Sequence, residues 1–230
     1  MNDALERELK LVPADSSLVD ELARAERLGE LVRVGQRRER QRNSFFDTAS
    51  RALSRARVGF RRRVIEGRRL ATWTLKSDAK LVRGVATRAE VELQLEPGMP
   101  PALAIGALQE AARSRGAAVL AEQVADALAG GGLPLAQPFL EMETDRVVVD
   151  FAAAERGWAV ELALDHVRLV GHAYAEVEIE AELKRGDEAA LQAAGSAIAA
   201  LGSVHPSHGS KLSRAMAHLA ACRCQACSAS

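Results

Sequence analysis

The chain has 230 residues, with 31 Lys+Arg against 31 Asp+Glu and a formal net charge of zero. This balance offers no electrostatic case for a nucleic-acid partner. There is no 18-residue apolar stretch, signal pattern or lipidation motif, so no membrane role is expected and the cytoplasm is the expected compartment. Apolar residues make up 48% and aromatics only 3%, which fits one sizeable domain whose core is filled by Ala, Leu and Val.

A first strand is expected over residues 4–12. Side chains two apart share a face of a strand, so Glu6, Glu8 and Lys10 point one way and Leu5, Leu9 and Leu11 the other. Ser16 or Ser17 then caps a helix near 18–28, with Leu18, Leu22 and Ala25 on one side. The basic run from Arg33 to Arg42 is interrupted by Glu39. It reads as a solvated loop with one phosphate-facing residue, Arg42. Strands are expected over 40–47, 57–66, 69–77 and 83–95, the second and third joined by a turn at Glu66-Gly67. On these strands Arg61 and Arg63 share a face. Thr72, Thr74 and Lys76 alternate with Trp73 and Leu75, and Arg88, Glu90, Glu92 and Gln94 alternate with Ala89, Val91 and Leu93.

Pro97, Pro100 and Pro101 break the chain. An Ala-rich helical segment runs over 102–129, is divided near Gly116, and stops at Gly130-Gly131-Gly132. A second group of strands is expected over 138–150, 157–165 and 173–184. In the last of these, Glu176, Glu178, Glu180, Glu182 and Lys184 alternate with Val177, Ile179, Ala181 and Leu183. Gly186-Asp187 opens a helix through Ala200, and a final helix starts near Ser210. Cys222, Cys224 and Cys227 follow His218. Their spacing fits no zinc module, and reduced thiols in a frayed tail are expected over a Zn²⁺ site.

Five strands thus carry charge of both signs on one face and apolar groups on the other. Two architectures satisfy that pattern. One is an antiparallel sheet with a wet face and helices on the other. The other is a barrel whose interior is charged, where carboxylates take Mg²⁺ or Mn²⁺ and Arg and Lys take phosphate oxygens.

In order along the chain, the residues resemble the CYTH domains, also called triphosphate tunnel metalloenzymes. The resemblance starts with Glu6-x-Glu8-x-Lys10 and the segment Arg42-Asn43-Ser44-Phe45-Phe46-Asp47-Thr48. It continues through Phe60-Arg61-Arg62-Arg63, Trp73-Thr74-Leu75-Lys76 and Arg88-Ala89-Glu90-Val91-Glu92. It is completed by Arg146, the stretch Glu161 to Asp165, the acidic run Glu178 to Glu182, and Ser210-Lys211 with Arg214. Phe46 stands where the family more usually has Tyr, and His166-Val167 follow Asp165 where it often has an Asp-x-Gly turn.

The resemblance implies an α+β fold: an eight-stranded antiparallel β-barrel, or tunnel, with a charged interior braced by external helices. It implies a CYTH domain over 1–214, with 215–230 as a Cys-containing tail. Metal-dependent hydrolysis of inorganic triphosphate follows, with Lys10, Arg42, Arg61, Arg63, Lys76, Arg88, Arg146 and Lys211 binding substrate. Glu6, Glu8, Lys10 and Glu90 would act in catalysis. Glu6, Glu8, Glu90, Glu178 and Glu180 would hold the metal, with Glu182 an alternative ligand and Glu92 or Glu161 alternative orienters of water. A class IV-type adenylate cyclase, a thiamine triphosphatase and a non-catalytic polyphosphate-binding module are the competing readings. The expected partner is a triphosphate or polyphosphate, and the chain is expected to be a monomer or homodimer.

Overall fold

A computed structural model describes residues 5–82 and 84–228, with side chains through Cys222. Its centre is a closed ring of eight antiparallel strands. These are β1 (Leu5–Pro13), β3 (Leu31–Phe45), β4 (Gly59–Ile65), β5 (Ala71–Lys76), β7 (Val85–Leu95), β8 (Leu140–Ala153), β9 (Trp158–Leu169) and β10 (Ala175–Arg185). Around the ring the order is β1-β10-β9-β8-β3-β4-β5-β7, and β1 pairing with β7 closes it. Closure leaves the ring with no free edge. The short strands β2 (Arg27–Leu28), β6 (Lys80–Val82) and β11 (Val204–Pro206) attach to β3, β7 and β1.

The alternation read from the sequence decides which way each strand faces. Leu9, Val91, Leu162, Ile179 and Ala181 point outward and are buried under helices. One core lies beneath α1 (Ser17–Arg24) and α5 (Glu188–Leu201), against β1, β8, β9 and β10. A second lies beneath α2 (Ala52–Arg55), α3 (Pro101–Ser114) and α4 (Ala118–Gly131), against β4, β5 and β7. The third, smaller core packs α6 (Lys211–Ser228) against one end of the barrel through Leu212, Ala215 and Leu219. With so few aromatics in the chain, Trp73, Phe46 and Phe60 gather at one point of the second core. Trp73 lies 5.4 Å from each of the other two rings, centroid to centroid.

The helix divided at Gly116 is as expected: α3 and α4 meet there, with Gly116 at φ 80°. Asp187 caps α5 by accepting from Ala189 N at 3.0 Å. Three expectations need correction. The basic run is strand, not loop: β3 starts at Leu31, and Val32 to Phe45 pair with β8. The first helix ends at Arg24 rather than near residue 28, because the chain turns there into β2. Neither predicted serine caps it through its side chain; Asp15 Oδ1 instead accepts from Ser17 N at 2.9 Å. Helix α6 runs without a break across residue 214, where the tail was set apart. The side chains of Cys224 and Cys227 lie outside the described residues, while Cys222 is exposed with its Sγ 3.5 Å from His218 Nε2. Among the described residues, no helix is long and apolar enough to cross a membrane.

Trp73 is fully buried, and its indole N–H has no hydrogen-bond partner among the described residues. Trp73→Ala is therefore expected to cost about 3–5 kcal/mol in urea unfolding. Trp73→Phe keeps a ring in the cluster and removes the orphaned donor, so its cost is expected to be about 1.5 kcal/mol or less.

Candidate active site

The barrel encloses a cavity of about 1030 Å³. Its lining comes from the inward-facing residues of all eight ring strands, closed over at one end by the first turn of α6. Most of the predicted residues meet there: Glu6, Glu8 and Lys10 from β1, Arg61 and Arg63 from β4, Lys76 from β5, Arg88, Glu90 and Glu92 from β7, Arg146 from β8, Glu161 from β9, Glu180 and Glu182 from β10, and Lys211 from α6.

Ring order sets the polarity of the tunnel. Adjacent strands β7, β1 and β10 carry Glu90, Glu6, Glu8, Glu180 and Glu182. Across the ring, adjacent strands β8, β3 and β4 carry Arg146, Arg37, Arg61 and Arg63. One wall is rich in carboxylates and the facing wall in guanidinium groups.

On the acidic wall, cations of the same wall hold the carboxylates. Arg88 donates through Nε to Glu6 at 2.5 Å and through Nη2 to Glu8 at 2.6 Å. Lys10 Nζ lies 3.2 Å from Glu8 and 3.0 Å from Glu180. Lys76 Nζ is 3.3 Å from Glu6 and 2.6 Å from Glu90. Burial opposes ionisation of Glu6, yet Lys76, a hydrogen bond with Glu90, Arg88 and Lys10 hold its carboxyl well below the usual carboxylate range. Burial wins at Glu90, and with the nearby Glu6 charge it raises this carboxyl well above its ordinary value despite Lys76. Burial likewise raises Glu8, aided by Glu180 and Glu6. Burial and the neighbouring charges therefore push the two adjacent carboxyls in opposite directions, Glu6 down and Glu90 up.

The opposite wall is unevenly compensated: Arg37 pairs with Asp150 at 3.1 Å and Glu161 at 2.6 Å, whereas Arg61 and Arg63 are weakly paired. Arg61 reaches Thr74 Oγ1 at 3.4 Å and Glu92 at 3.5 Å, and its Nε is buried without a hydrogen-bond partner. Arg63 donates through Nε to Asn43 Oδ1 at 3.3 Å, and among the described residues it forms no ion pair. Burial, and then the neighbouring Arg63, push the Arg61 guanidinium down to about 10. Against burial, Arg63 and Arg61 hold the Glu92 carboxyl down to about 2, and they keep further donors for an incoming anion.

At the α6 end the charges are fully engaged. Arg146 is bidentate to Asp165 at 2.7 and 2.6 Å and reaches Glu180 at 2.9 Å. Lys211 Nζ contacts Asp165 at 3.0 Å and Glu180 at 2.8 Å, and also Glu178. Arg214 binds Glu176 at 2.7 Å and Glu178 at 2.8 Å.

Two predicted residues lie elsewhere. Arg42 is on the outer face of β3, paired with Glu141 at 2.6 Å, because the parity that points Gln41 and Asn43 inward points Arg42 out. Glu178 is fully buried behind the turn of α6, held by Ser207, Lys211 and Arg214, and does not line the tunnel. Glu182 does line it. Sequence reasoning passed over Arg37, Glu39, Gln41 and Asn43, which line the tunnel from β3. Their period-two spacing was present but was masked by Arg38, Arg40 and Arg42 on the other face.

Among the described residues no three of His, Cys, Asp and Glu come together as a ready metal cage. A hard divalent cation does not need one. Mg²⁺ commonly takes one or two carboxylates and completes its shell with water and substrate phosphates. The Glu6–Glu90 pair fits such an ion. Lys76 Nζ bridges the two carboxylates, 2.6 Å from Glu90 and 3.3 Å from Glu6, and a divalent cation beside them would add positive charge where the pair already draws it.

The CYTH domain family model matches residues 4–216. The chain belongs to the CYTH domain family. Its tunnel has the same fold as several solved CYTH-like structures. HpAC1 from Hippeastrum, an adenylyl cyclase candidate with a dominant triphosphatase activity, is 24% identical. That match covers 90% of this chain and 93% of the other, with a TM-score of 0.60. A candidate adenylate cyclase from Bacillus halodurans is 20% identical over 92% of this chain and 98% of its own, at TM-score 0.52. The PH1819 protein of Pyrococcus horikoshii is 16% identical over 92% and 99%, at TM-score 0.51. At these identities the likeness is one of fold. No curated protein matches the chain. Triphosphate tunnel metalloenzymes generally use divalent metal ions.

Asp165 is fully buried. Burial opposes its charge, and Arg146 and Lys211 overcome that to hold its carboxyl below the ordinary range. Arg146→Met is expected to destabilise the protein by about 3 kcal/mol at neutral pH, because it removes the bidentate partner of a fully buried carboxylate and leaves only Lys211 paired with it among the described residues. A folded-state value below the unfolded one contributes stability above the unfolded value, and that contribution disappears as pH falls. The difference between variant and wild type should therefore shrink below the ordinary Asp value of 3.8 in a pH series of denaturation curves.

Proposed function

We propose that this CYTH protein hydrolyses inorganic triphosphate with Mg²⁺ or Mn²⁺ inside the tunnel. The observation that carries the reading is the two-walled interior: under-compensated Arg61 and Arg63 face a carboxylate wall built on Glu6, Glu8, Glu90, Glu180 and Glu182. A triphosphate carries several negative charges, and guanidinium forks on rigid strands bind such oxygens with fixed geometry. Arg61, Arg63, Lys76 and Arg146 seat the phosphates from different strands. Lys10, Arg88 and Lys211 are engaged with the acidic wall and take a phosphate oxygen only in exchange for a carboxylate. Glu6, Glu8 and Glu90 are the residues that hold the metal, with Glu180 or Glu182 reaching it from β10. The bound ion supplies charge neutralisation at the transferring phosphoryl group and a more acidic water.

Hydrolysis joins a water oxygen to the terminal phosphorus and breaks its bridging P–O bond, releasing phosphate and diphosphate. Such transfer depends mostly on positioning and electrostatic stabilisation, which a barrel of fixed strands provides. Glu92 or Glu161 orients the attacking water, whose proton passes to a phosphate oxygen. HpAC1, whose dominant activity is that of a triphosphatase, supports this choice over a cyclase. Among the described residues the interior also lacks a free aromatic platform for a base: Trp73, Phe46 and Phe60 are turned into the outer core, Phe45 is buried, and the Phe139 face is covered by Arg51.

Phosphate release from tripolyphosphate is expected with Mg²⁺ or Mn²⁺ and not in EDTA, falling by about 10² or more in Glu8→Gln. Cyclic AMP formed from ATP in its place would move the protein to the cyclases. Tight binding without turnover would make it a binding module. Arg61 burdens the free protein with a buried, poorly paired charge. Arg61→Met is accordingly expected to leave the Tm at or above the wild-type value while weakening triphosphate binding about tenfold or more. A lowered Tm with unchanged binding would assign Arg61 a purely structural role.

A further inference from the structure

Among the described residues, two other than glycine hold a left-handed backbone. Both are arginines, Arg51 at φ 60° and Arg57 at φ 56°. They flank α2, and both line the tunnel where β4 begins. A non-glycine residue at positive φ costs about 1–3 kcal/mol and persists only where its surroundings enforce it.

The surroundings of Arg51 do so from two sides. The Asp47 carboxylate accepts from the backbone N–H groups of Thr48 at 2.8 Å, Leu53 at 2.9 Å and Ser54 at 3.0 Å. From the other side, Gly131 at the end of α4 presses on the turn: a Cβ there would lie 2.4 Å from Ala52 Cβ and 3.0 Å from Thr48 Oγ1. None of these contacts uses the Arg51 guanidinium. That group lies over the Phe139 ring, 3.5 Å from its centroid, and its Nη1 is buried with no hydrogen-bond partner. A buried guanidinium N–H left without an acceptor is costly, and an anion would satisfy it.

Arg57 lies in the turn two residues before β4 and lines the tunnel with Val58, Gly59, Arg61 and Arg63, so it stands at the end of the cavity beyond Arg61. Its 2.9 Å pair with Asp78 is at the rim, with the two side chains 78% and 60% exposed. Such a pair is worth little and yields readily to a better acceptor.

Further phosphates suit this mouth better than a nucleobase. The face of Phe139 is covered by Arg51, and Phe45, the other aromatic lining the cavity, is buried. We infer that Arg51 and Arg57 form an outer anion subsite for the phosphate groups of a linear polyphosphate beyond the third. The inference rests on the proposed triphosphate site, which seats the first three.

The test is calorimetric titration of the full chain with tripolyphosphate, tetrapolyphosphate and a long-chain polyphosphate, in EDTA to stop turnover. The wild type is expected to bind the longer chains about tenfold or more tightly than triphosphate. In Arg51→Gly/Arg57→Gly, glycine takes the positive φ without strain, and the ratio of long-chain to triphosphate affinity should fall to about one. Arg51→Lys/Arg57→Lys should retain a preference for length. An unchanged ratio in the glycine variant, at a Tm near wild type, overturns the subsite. If the double variant proves unfolded, Arg57→Gly alone at the exposed rim carries the same comparison. Wild-type binding of triphosphate with no preference for length would sink the subsite and leave the triphosphate reading standing. No binding at any length would sink both.

Discussion

Everything in this molecule depends on keeping many opposite charges together inside a closed barrel. An isolated carboxylate or ammonium cannot be carried into such an interior at tolerable cost. The chain meets the requirement by pairing acids and bases on neighbouring strands, so that Glu6 and Glu8 meet Arg88, Glu90 meets Lys76, and Asp165 meets Arg146. Closure through the β1–β7 pairing puts the charged parity inside. The apolar parity of each strand must be covered by helices, which leaves the charged parity facing inward.

That compensation is uneven, and its unevenness gives the tunnel its chemistry. Where α6 closes the barrel, Lys211 and Arg214 saturate Glu176, Glu178, Glu180 and Asp165, and the charges there act as structure. On the wall of β4, Arg61 and Arg63 keep unused donors. The α1 and α5 pair on one side and the α2, α3 and α4 group on the other hold these strands rigid. Donors fixed in this way need little reorganisation when an anion arrives, which is the main requirement for phosphoryl transfer.

Much of this could be read from the sequence where a strand is apolar on one face only. β1, β5, β7 and β10 fall in that class, and Glu6, Glu8, Lys10, Lys76, Glu90 and Glu180 all line the cavity as their parity requires. β3 does not. Arg37, Glu39 and Gln41 face inward, while Arg38, Arg40 and Arg42 face water. With both faces charged, hydrophobic alternation carries no information about direction, and the strand passes for a solvated loop. Arg42 was misplaced for that reason. Glu178 failed differently: its parity matches that of Glu180, but a helix distant in sequence covers it.

The sequence by itself determined the alternation, the number of ring strands, the break at Gly116 and most of the inward-facing charges. Each of these depends on local periodicity or on a residue's own backbone preference. Only the tertiary structure decided which strands face each other across the tunnel, because ring order depends on pairings such as β3 with β8 and β1 with β7 that lie far apart along the chain. It also decided which charges are spent on one another and which remain unsatisfied, since that follows from distances across the barrel that no local spacing encodes.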